Sequence, residues 1–324
     1  MNDIRILITG GSGFIGTNAM AYCISNQWVV KNIDIEPPKV KSHLKYWENV
    51  DICDHKTLAS AICNFKPTHI LHLAAKTGMD LKSLDEVSAN IVGVKNIIEI
   101  ANNLPDLKRV LFTSSLLVCK NGYIPKNDFD YCPPNIYGQS KMHGEQIVKN
   151  TRTNFEWVIA RPTSIWGPWF KDSYLSFFKM INRNLYFHPG KDDKTKPKSY
   201  VGNTVYMMFK LLFAKASDVH GKVFYLADYP QGTTREWAEC IAKSLGQKKI
   251  VTLPLPLLKC VASFGDILKI IGIEFPLTNF RLSNMLTGAV YPIENTKTVV
   301  GDLPYTLQDG VNETIAWMRN QKIL

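Results

Sequence analysis

Residues 5–16 read Arg5-Ile6-Leu7-Ile8-Thr9-Gly10-Gly11-Ser12-Gly13-Phe14-Ile15-Gly16, an apolar run that breaks into glycines and resumes with a helical pattern. The string fits Gly-x-Gly-x-x-Gly from Gly11 and Thr-Gly-x-x-Gly-x-x-Gly from Thr9. Few arrangements satisfy it better than a buried strand, a tight turn and a helix N-terminus. Glycines there let the backbone approach a pyrophosphate, whose charge rests on the N–H groups of the following helix. Such strings also arise by chance, so the neighbours decide. A second apolar run, Trp28-Val29-Val30-Lys31-Asn32-Ile33, ends in Asp34. That is where a dinucleotide-binding sheet places the acid for the adenosine ribose hydroxyls. Ser115 and Tyr137-Gly138-Gln139-Ser140-Lys141 follow, a pairing that supplies a catalytic acid/base. Together these features point to a nicotinamide enzyme.

Further apolar runs end near Asp51, Leu73 and Thr113, and another spans Trp157 to Ala160. Helical stretches are expected at Phe14–Asn26, His55–Asn64, Leu84–Asn103 and Ile136–Thr151. Alternation of this kind predicts an α/β fold, a Rossmann-type doubly wound parallel sheet covered on both faces. The ligand belongs beyond the carboxyl ends of the strands. That rule sets Gly13, Asp34, Ala74, Ser115 and Pro162 on one rim. After Trp166-Gly167-Pro168 the pattern loosens. Helices are expected near Tyr174–Asn182, Asn203–Ala216, Thr234–Leu245 and Leu307–Gln321, with a strand at Val223–Ala227. The predicted division is residues 1–165 as a cofactor-binding domain and 166–324 as a smaller C-terminal substrate-binding domain. Whether Val223–Ala227 rejoins the first sheet is left open.

Tyr137 and Lys141 are four apart and so share a helix face. A free tyrosine, with a pKa near 10, is a poor base at neutral pH. A nearby ammonium and a positive nicotinamide favour the phenolate and would bring it towards the working range. Ser115, at the tip of the strand ending in Thr113, would donate to the same substrate oxygen. Asp34 would accept from ribose hydroxyls and repel a 2′-phosphate. No arginine stands in the glycine turn or directly after Asp34, which favours NAD over NADP. Asp54, just before His55, suits a helix cap.

The 324 residues suffice for a substantial core. Seven cysteines without a Cys-x-x-Cys pair argue for reduced thiols in the cytoplasm and against a zinc site. No metal is expected, because the seven histidines lack ligand spacing. His72 reads as a packed or backbone-bonded core histidine. The N-terminus carries no signal-peptide pattern. A net charge of +10 raises nucleic acid as a partner, but no basic helix or recognition motif accompanies it. A lysine-rich surface or an anionic small substrate accounts for the charge. The apolar stretch Leu257–Gly272 contains Lys259, Asp266 and Lys269. It is too short and charged to span a bilayer. Packing onto the small domain is the plain expectation, and lying on a membrane surface is the sharper one.

The motifs Thr9-Gly10-x-x-Gly13-x-x-Gly16, Asp34, Asp51-Ile52, His72-Leu73-Ala74-Ala75, Asn90, Thr113-Ser114-Ser115, Tyr137-x-x-x-Lys141 and Arg161-Pro162 occur together. In this respect the chain resembles the extended short-chain dehydrogenase/reductase family, in its NAD-dependent epimerase/dehydratase branch. The resemblance implies an NAD site built from Gly10, Gly13, Phe14, Ile15, Gly16, Asp34, Asp51, Ile52, Leu73, Ala74, Ala75, Asn90, Tyr137, Lys141 and Pro162. It gives Lys141 a hydrogen bond to the nicotinamide ribose and Asp51-Ile52 the adenine. Asn90 would support the active-site backbone or its water. It also implies catalysis by Ser115, Tyr137 and Lys141, with Ser115 and Arg281 meeting a nucleoside diphosphate sugar. Arg281 also reads as a plain helix-surface arginine.

Sugar 4,6-dehydratases of this kind carry an acid pair after the strand-end hydroxyl, where this chain has Leu116 and Leu117. Neither transfers a proton, so dehydration is disfavoured. The expectation is a nucleotide-sugar 4-epimerase, with a 4-keto reductase or a sterol- or isoprenoid-type dehydrogenase as alternatives. A non-catalytic NAD-sensing protein is the alternative from another class, and the intact Ser115, Tyr137 and Lys141 oppose it. A homodimer through the helices of Tyr137 and Asn90 is also expected. Ile91, Val94, Ile98 and Ala101 form one stripe, and Val87, Ile97 and Ile100 widen it.

Overall fold

The computed structural model describes the chain except residues 1–3, 79–80, 124, 171–172, 192, 271, 273–274 and 276. At 173, 269–270, 280–281 and 284–285 only the backbone is described. The first half alternates as expected: β1 (Arg5–Thr9), α1 (Phe14–Ser25), β2 (Val29–Asp34), β3 (Trp47–Asn49), α2 (His55–Phe65) and β4 (His69–His72). It continues with α3 (Ala89–Ala101), β5 (Arg109–Thr113), α4 (Ile136–Asn150) and β6 (Glu156–Pro162). Then come β7 (Ser164–Trp166), α5 (Ser173–Asn182), β8 (His188–Pro189), β9 (Lys198–Tyr200), α6 (Val201–Phe213), α7 (Ala216–Val219) and β10 (Lys222–Leu226). The chain closes with α8 (Thr234–Ser244), β11 (Thr252–Leu253), α9 (Leu255–Ile270), α10 (Asn279–Leu286), α11 (Glu294–Val300) and α12 (Leu307–Asn320).

Seven strands form one parallel sheet in the order β10-β6-β5-β4-β1-β2-β3. Alternation along each strand feeds two cores. Ile6 and Ile8 of β1 join the core under α1 and α6, while Leu7 joins the core under α2, α3 and α4. Both faces being covered explains why these strands read as unbroken apolar runs.

The strand left open by the sequence pairs with β6, Val223 opposite Ile159 and Leu226 opposite Pro162. Helix α6, assigned from sequence to the second part, also lies with the large sheet. Its Phe209 stacks on Tyr22 of α1, with ring centroids 5.0 Å apart. Residues 201–226 therefore return to the first layer before α8 leaves it.

Most of the widened apolar face of α3 is covered within the chain. Ile97, Ile98, Ile100 and Ala101 are all buried there, as is Val87 just before the helix. Neighbours α2 and α4, with the sheet beneath, cover these positions, while Ile91 of the same helix stays half-buried. Asp54 caps α2, accepting from Lys56 and Thr57 N–H groups at 3.1 and 3.3 Å.

Candidate active site

The turn after β1 is fitted to its neighbours too closely for side chains. A Cβ on Gly16 would stand 2.1 Å from the Gly10 carbonyl oxygen, so the start of α1 presses directly against the turn. Gly13 is the N-cap of α1, and no side chain bonds the free N–H groups of the first turn. Phe14, Ile15 and Gly16 supply those groups, and the turn holds no acid to repel an anion. Asp34 stands beside this turn because Ser12 N–H donates to its Oδ2 at 2.9 Å. Its other oxygen accepts from Glu36 N–H at 3.0 Å. Uncapped helix N-terminus, close backbone and strand-end carboxylate fit a dinucleotide.

The end of β4 is knitted to β1. Thr9 Oγ1 lies 2.7 Å from His72 Nδ1, and Ala74 N–H donates to the same oxygen at 3.3 Å. His72 is a core residue, packed edge-on to Phe112 and pushed down to about 3 by burial. Leu73 and Ala74 therefore start the rim segment with their backbone fixed, and Ala75 follows.

Asp51 is exposed, with Oδ1 accepting from Cys53 N–H at 2.8 Å. Ile52 is instead buried against Gly93 of α3, so the exposed carboxylate is the accessible side chain of that pair. Asn90 is fully engaged: Oδ1 accepts from Lys76 N–H at 2.7 Å, and Nδ2 donates to Lys76 O and Ser140 Oγ. It clamps the segment after β4 to helix α4, a supporting position rather than an open one.

Ser115 lies just beyond β5, its Oγ accepting from Leu117 N–H at 3.1 Å. Asn135 caps α4 through Gly138 N–H at 2.8 Å, which sets Tyr137 in the first turn. Gly138 is required there, since a Cβ would lie 2.1 Å from the Leu117 carbonyl oxygen. This close approach sets the Tyr137 hydroxyl towards Ser115, whose side chain favours its phenolate. Lys141 Nζ donates to Thr113 O at 2.8 Å and stands 6.0 Å from the Tyr137 ring centroid.

The electrostatics differ from the sequence expectation. Burial pushes Tyr137 up to about 12, opposed by the Ser115 hydrogen bond, and pushes Lys141 down to about 8, opposed by Glu145. In the protein alone, desolvation outweighs any pull of Lys141 on the phenol.

Pro162 closes β6 on the same rim. The side chain of Arg281, in α10, lies outside the described residues. One charged group, Glu145, escaped the sequence reading. Another, Lys198, ends the lysine-rich run 191–198, whose charge suggests a solvated loop but which reaches into a strand. Glu145, one turn beyond Lys141, is 3% exposed and grips Arg161 of β6 through two bonds of 2.8 and 2.6 Å. Its spacing from Lys141 was a signal, but only the fold puts Arg161 opposite. Lys198 lies in β9 opposite Ser164 in register, with Nζ 3.1 Å from Thr234 Oγ1 and 5.2 Å from the Trp237 ring centroid. Burial, helped by Lys196, lowers it to about 7. A cavity of about 1380 Å³ opens nearby, its wall including Cys119, Lys120, Lys194, Tyr225 and Tyr291. Among the described residues no cluster of three metal-ligating side chains occurs.

Residues 6–224 match the NAD dependent epimerase/dehydratase family. An N-acetyl-alpha-D-glucosaminyl-diphospho-ditrans,octacis-undecaprenol 4-epimerase of Escherichia coli O157:H7 is 26% identical, covering 98% of this chain and 96% of that one. A decarboxylating sterol-4-alpha-carboxylate 3-dehydrogenase of Saccharomyces cerevisiae is 24% identical, with 97% of each chain covered. The crystal structure of UDP-glucose 4-epimerase with UDP-glucose from Thermotoga maritima has a TM-score of 0.75 at 17% identity. It covers 98% of this chain and 100% of its own.

Proposed function

The chain belongs to the NAD dependent epimerase/dehydratase family as an NAD-dependent enzyme with a Rossmann-type sheet, and we propose that it 4-epimerises a diphosphate-activated sugar. The observation that supports this most is the Ser115–Tyr137–Lys141 arrangement on the rim that carries the glycine turn. The α1 N-terminus would hold the cofactor pyrophosphate and Asp34 the adenosine ribose, while Lys141 would reach the nicotinamide ribose. Bound NAD would supply a reversible acceptor for the hydride at the sugar C4.

Tyr137 would take the proton from the C4 hydroxyl and later return it. Ser115, beside Tyr137, would donate to the same sugar oxygen and fix its position. The resulting 4-keto sugar must turn over within the site before reduction from its other face. Leu116 and Leu117 supply no acid there, which opposes dehydration. Lys120 and Lys194 line the cavity beyond the rim with positive charge suited to a diphosphate. Nucleoside diphosphate and polyprenyl diphosphate sugars share that group. The C4 chemistry of the undecaprenol-linked relative and of the UDP-glucose enzyme supports C4 as the reacting centre.

The test is turnover of UDP-, dTDP- and undecaprenyl-diphosphate-linked hexoses, with product stereochemistry read by NMR. Conversion without added cofactor and without net NADH formation is the expected result. Stoichiometric NADH consumption would make it a 4-keto reductase instead.

We also propose pairing of α3 and α4 with their symmetry mates. A shallow groove between them is lined by the half-buried Ile91 and Ile147 with Lys95, Glu99, His143 and Gln146. Light scattering should then give twice the 36.7 kDa chain mass.

A further inference from the structure

Helix α9 is apolar over more of its circumference than its neighbours cover. Leu258 and Ala262 face inward and pack with Leu282 of α10, together with Leu253, Leu255, Leu277 and Leu286. At about 100° per residue these inward positions fill a single arc. Leu257, Cys260, Phe264 and Ile267 fall on the adjoining, outward arc. There Leu257 is 50% exposed, Phe264 55% and Ile267 58%. A helix that only closes a small lobe needs one apolar stripe, and this one has two.

The exposed apolar surface extends past the helix. Strand β11, which leads into α9, pairs with β8, and Val251 O accepts from His188 N–H at 3.0 Å. Phe187 and Val251, also exposed, line one shallow depression with Lys248 and Lys249. Charge distinguishes this region. Residues 243–270 hold five lysines, at 243, 248, 249, 259 and 269, against the single acid Asp266. Asp266 is turned to Asn279, accepting from its Nδ2 at 2.8 Å, and the lysines remain in excess.

We propose that the outward face of α9, with Phe187 and Val251, docks on an anionic lipid bilayer. The aliphatic and aromatic side chains would enter the headgroup boundary and the lysines would meet lipid phosphates. No helix of the described residues is long and apolar enough to cross a membrane, so the attachment is peripheral. The segment after α10 continues from this lobe into the wall of the 1380 Å³ cavity through Gly288–Ile293. Ala289 N–H donates to Thr195 O at 3.0 Å and fixes that connection. Docking would thus set the cavity next to the bilayer surface. The proposal does not depend on the sugar reading, and its test measures no turnover.

The experiment is co-sedimentation of the whole protein with phosphatidylcholine vesicles, with and without about 30% phosphatidylglycerol. Binding to the anionic vesicles, weakened by salt, is expected, with little to neutral ones. The Phe264→Asp/Ile267→Asp double variant should lose about tenfold or more in partitioning at an unchanged melting temperature. Lys248→Glu/Lys249→Glu should lose most of the salt-sensitive part. A polarity-sensitive dye on Cys260, in a Cys63→Ser background, should shift to the blue on anionic vesicles and needs no apolar-face variant to fold. Equal binding to both vesicles, no dye shift, or a wild-type oligomer that Phe264→Asp/Ile267→Asp dissociates would each overturn the proposal. The last result would assign the face to a second copy of the chain.

Discussion

Tyr137→Phe is expected to lower turnover about 10²–10⁴-fold while leaving NAD affinity and the melting temperature nearly unchanged. The ring stays and only the hydroxyl goes, so the packing of α4 against the Ser115 segment survives. What is lost is the hydroxyl that would move the sugar proton. The pH profile separates this role from a structural one. Burial holds Tyr137 up at about 12 in the protein alone, so its phenolate becomes more populated as pH rises. Wild-type single-turnover oxidation should therefore quicken with pH, and the variant should lose that limb. Loss of the Tyr137 proton on NAD binding, measured as tyrosinate absorbance, would show the cofactor's charge acting on the phenol. Unchanged turnover in Tyr137→Phe would assign the proton to another group.

The largest stability effect is expected at the buried pair that joins α4 to β6. Arg161 and Glu145 are 1% and 3% exposed and meet through two parallel bonds. Arg161 also donates to Tyr225 at 2.8 Å and Glu145 accepts from Tyr131 at 3.0 Å, so both groups are fully hydrogen-bonded. Glu145→Ala would leave a buried guanidinium without its counter-charge. Removing one partner of such a pair costs about 3–5 kcal/mol. In a chain of this size that should lower the melting temperature by on the order of 10 °C. Calorimetry on Glu145→Ala, and on Glu145→Leu/Arg161→Met, checks the cause. The double variant should recover part of the loss, because it buries no orphaned charge. Equal loss in both would mean that packing, rather than the uncompensated charge, dominates.

Cofactor selection rests on a smaller effect. Asp34→Ala should narrow a preference for NAD over NADP of about tenfold or more, read from the two dissociation constants. Ser12 N–H would lose its acceptor in that variant, so some loss of NAD affinity should accompany the change.

The local pattern determined much of this protein. Strand, glycine turn and helix at residues 5–25 follow from short-range rules, because close backbone approach and an uncapped helix start leave few residue choices. Tyr137 and Lys141 share a face by helical spacing alone, and Asp54 caps α2 by its position. The parallel sheet follows from alternating elements that must each bury two faces or one. Long-range contacts set the rest. Only tertiary packing shows that β10 pairs with β6, since a five-residue apolar strand suits many neighbours. Ile97, Ile98, Ile100 and Ala101 of α3 are buried within the chain because α2, α4 and the sheet surround them, a count that one helix's sequence cannot supply. The pKa order of Tyr137 and Lys141 was likewise out of reach, because desolvation depends on every atom around them. Glu145 opposite Arg161, and Lys198 opposite Ser164, meet across 16 and 34 residues of sequence, a separation over which spacing carries no information and only the fold chooses partners.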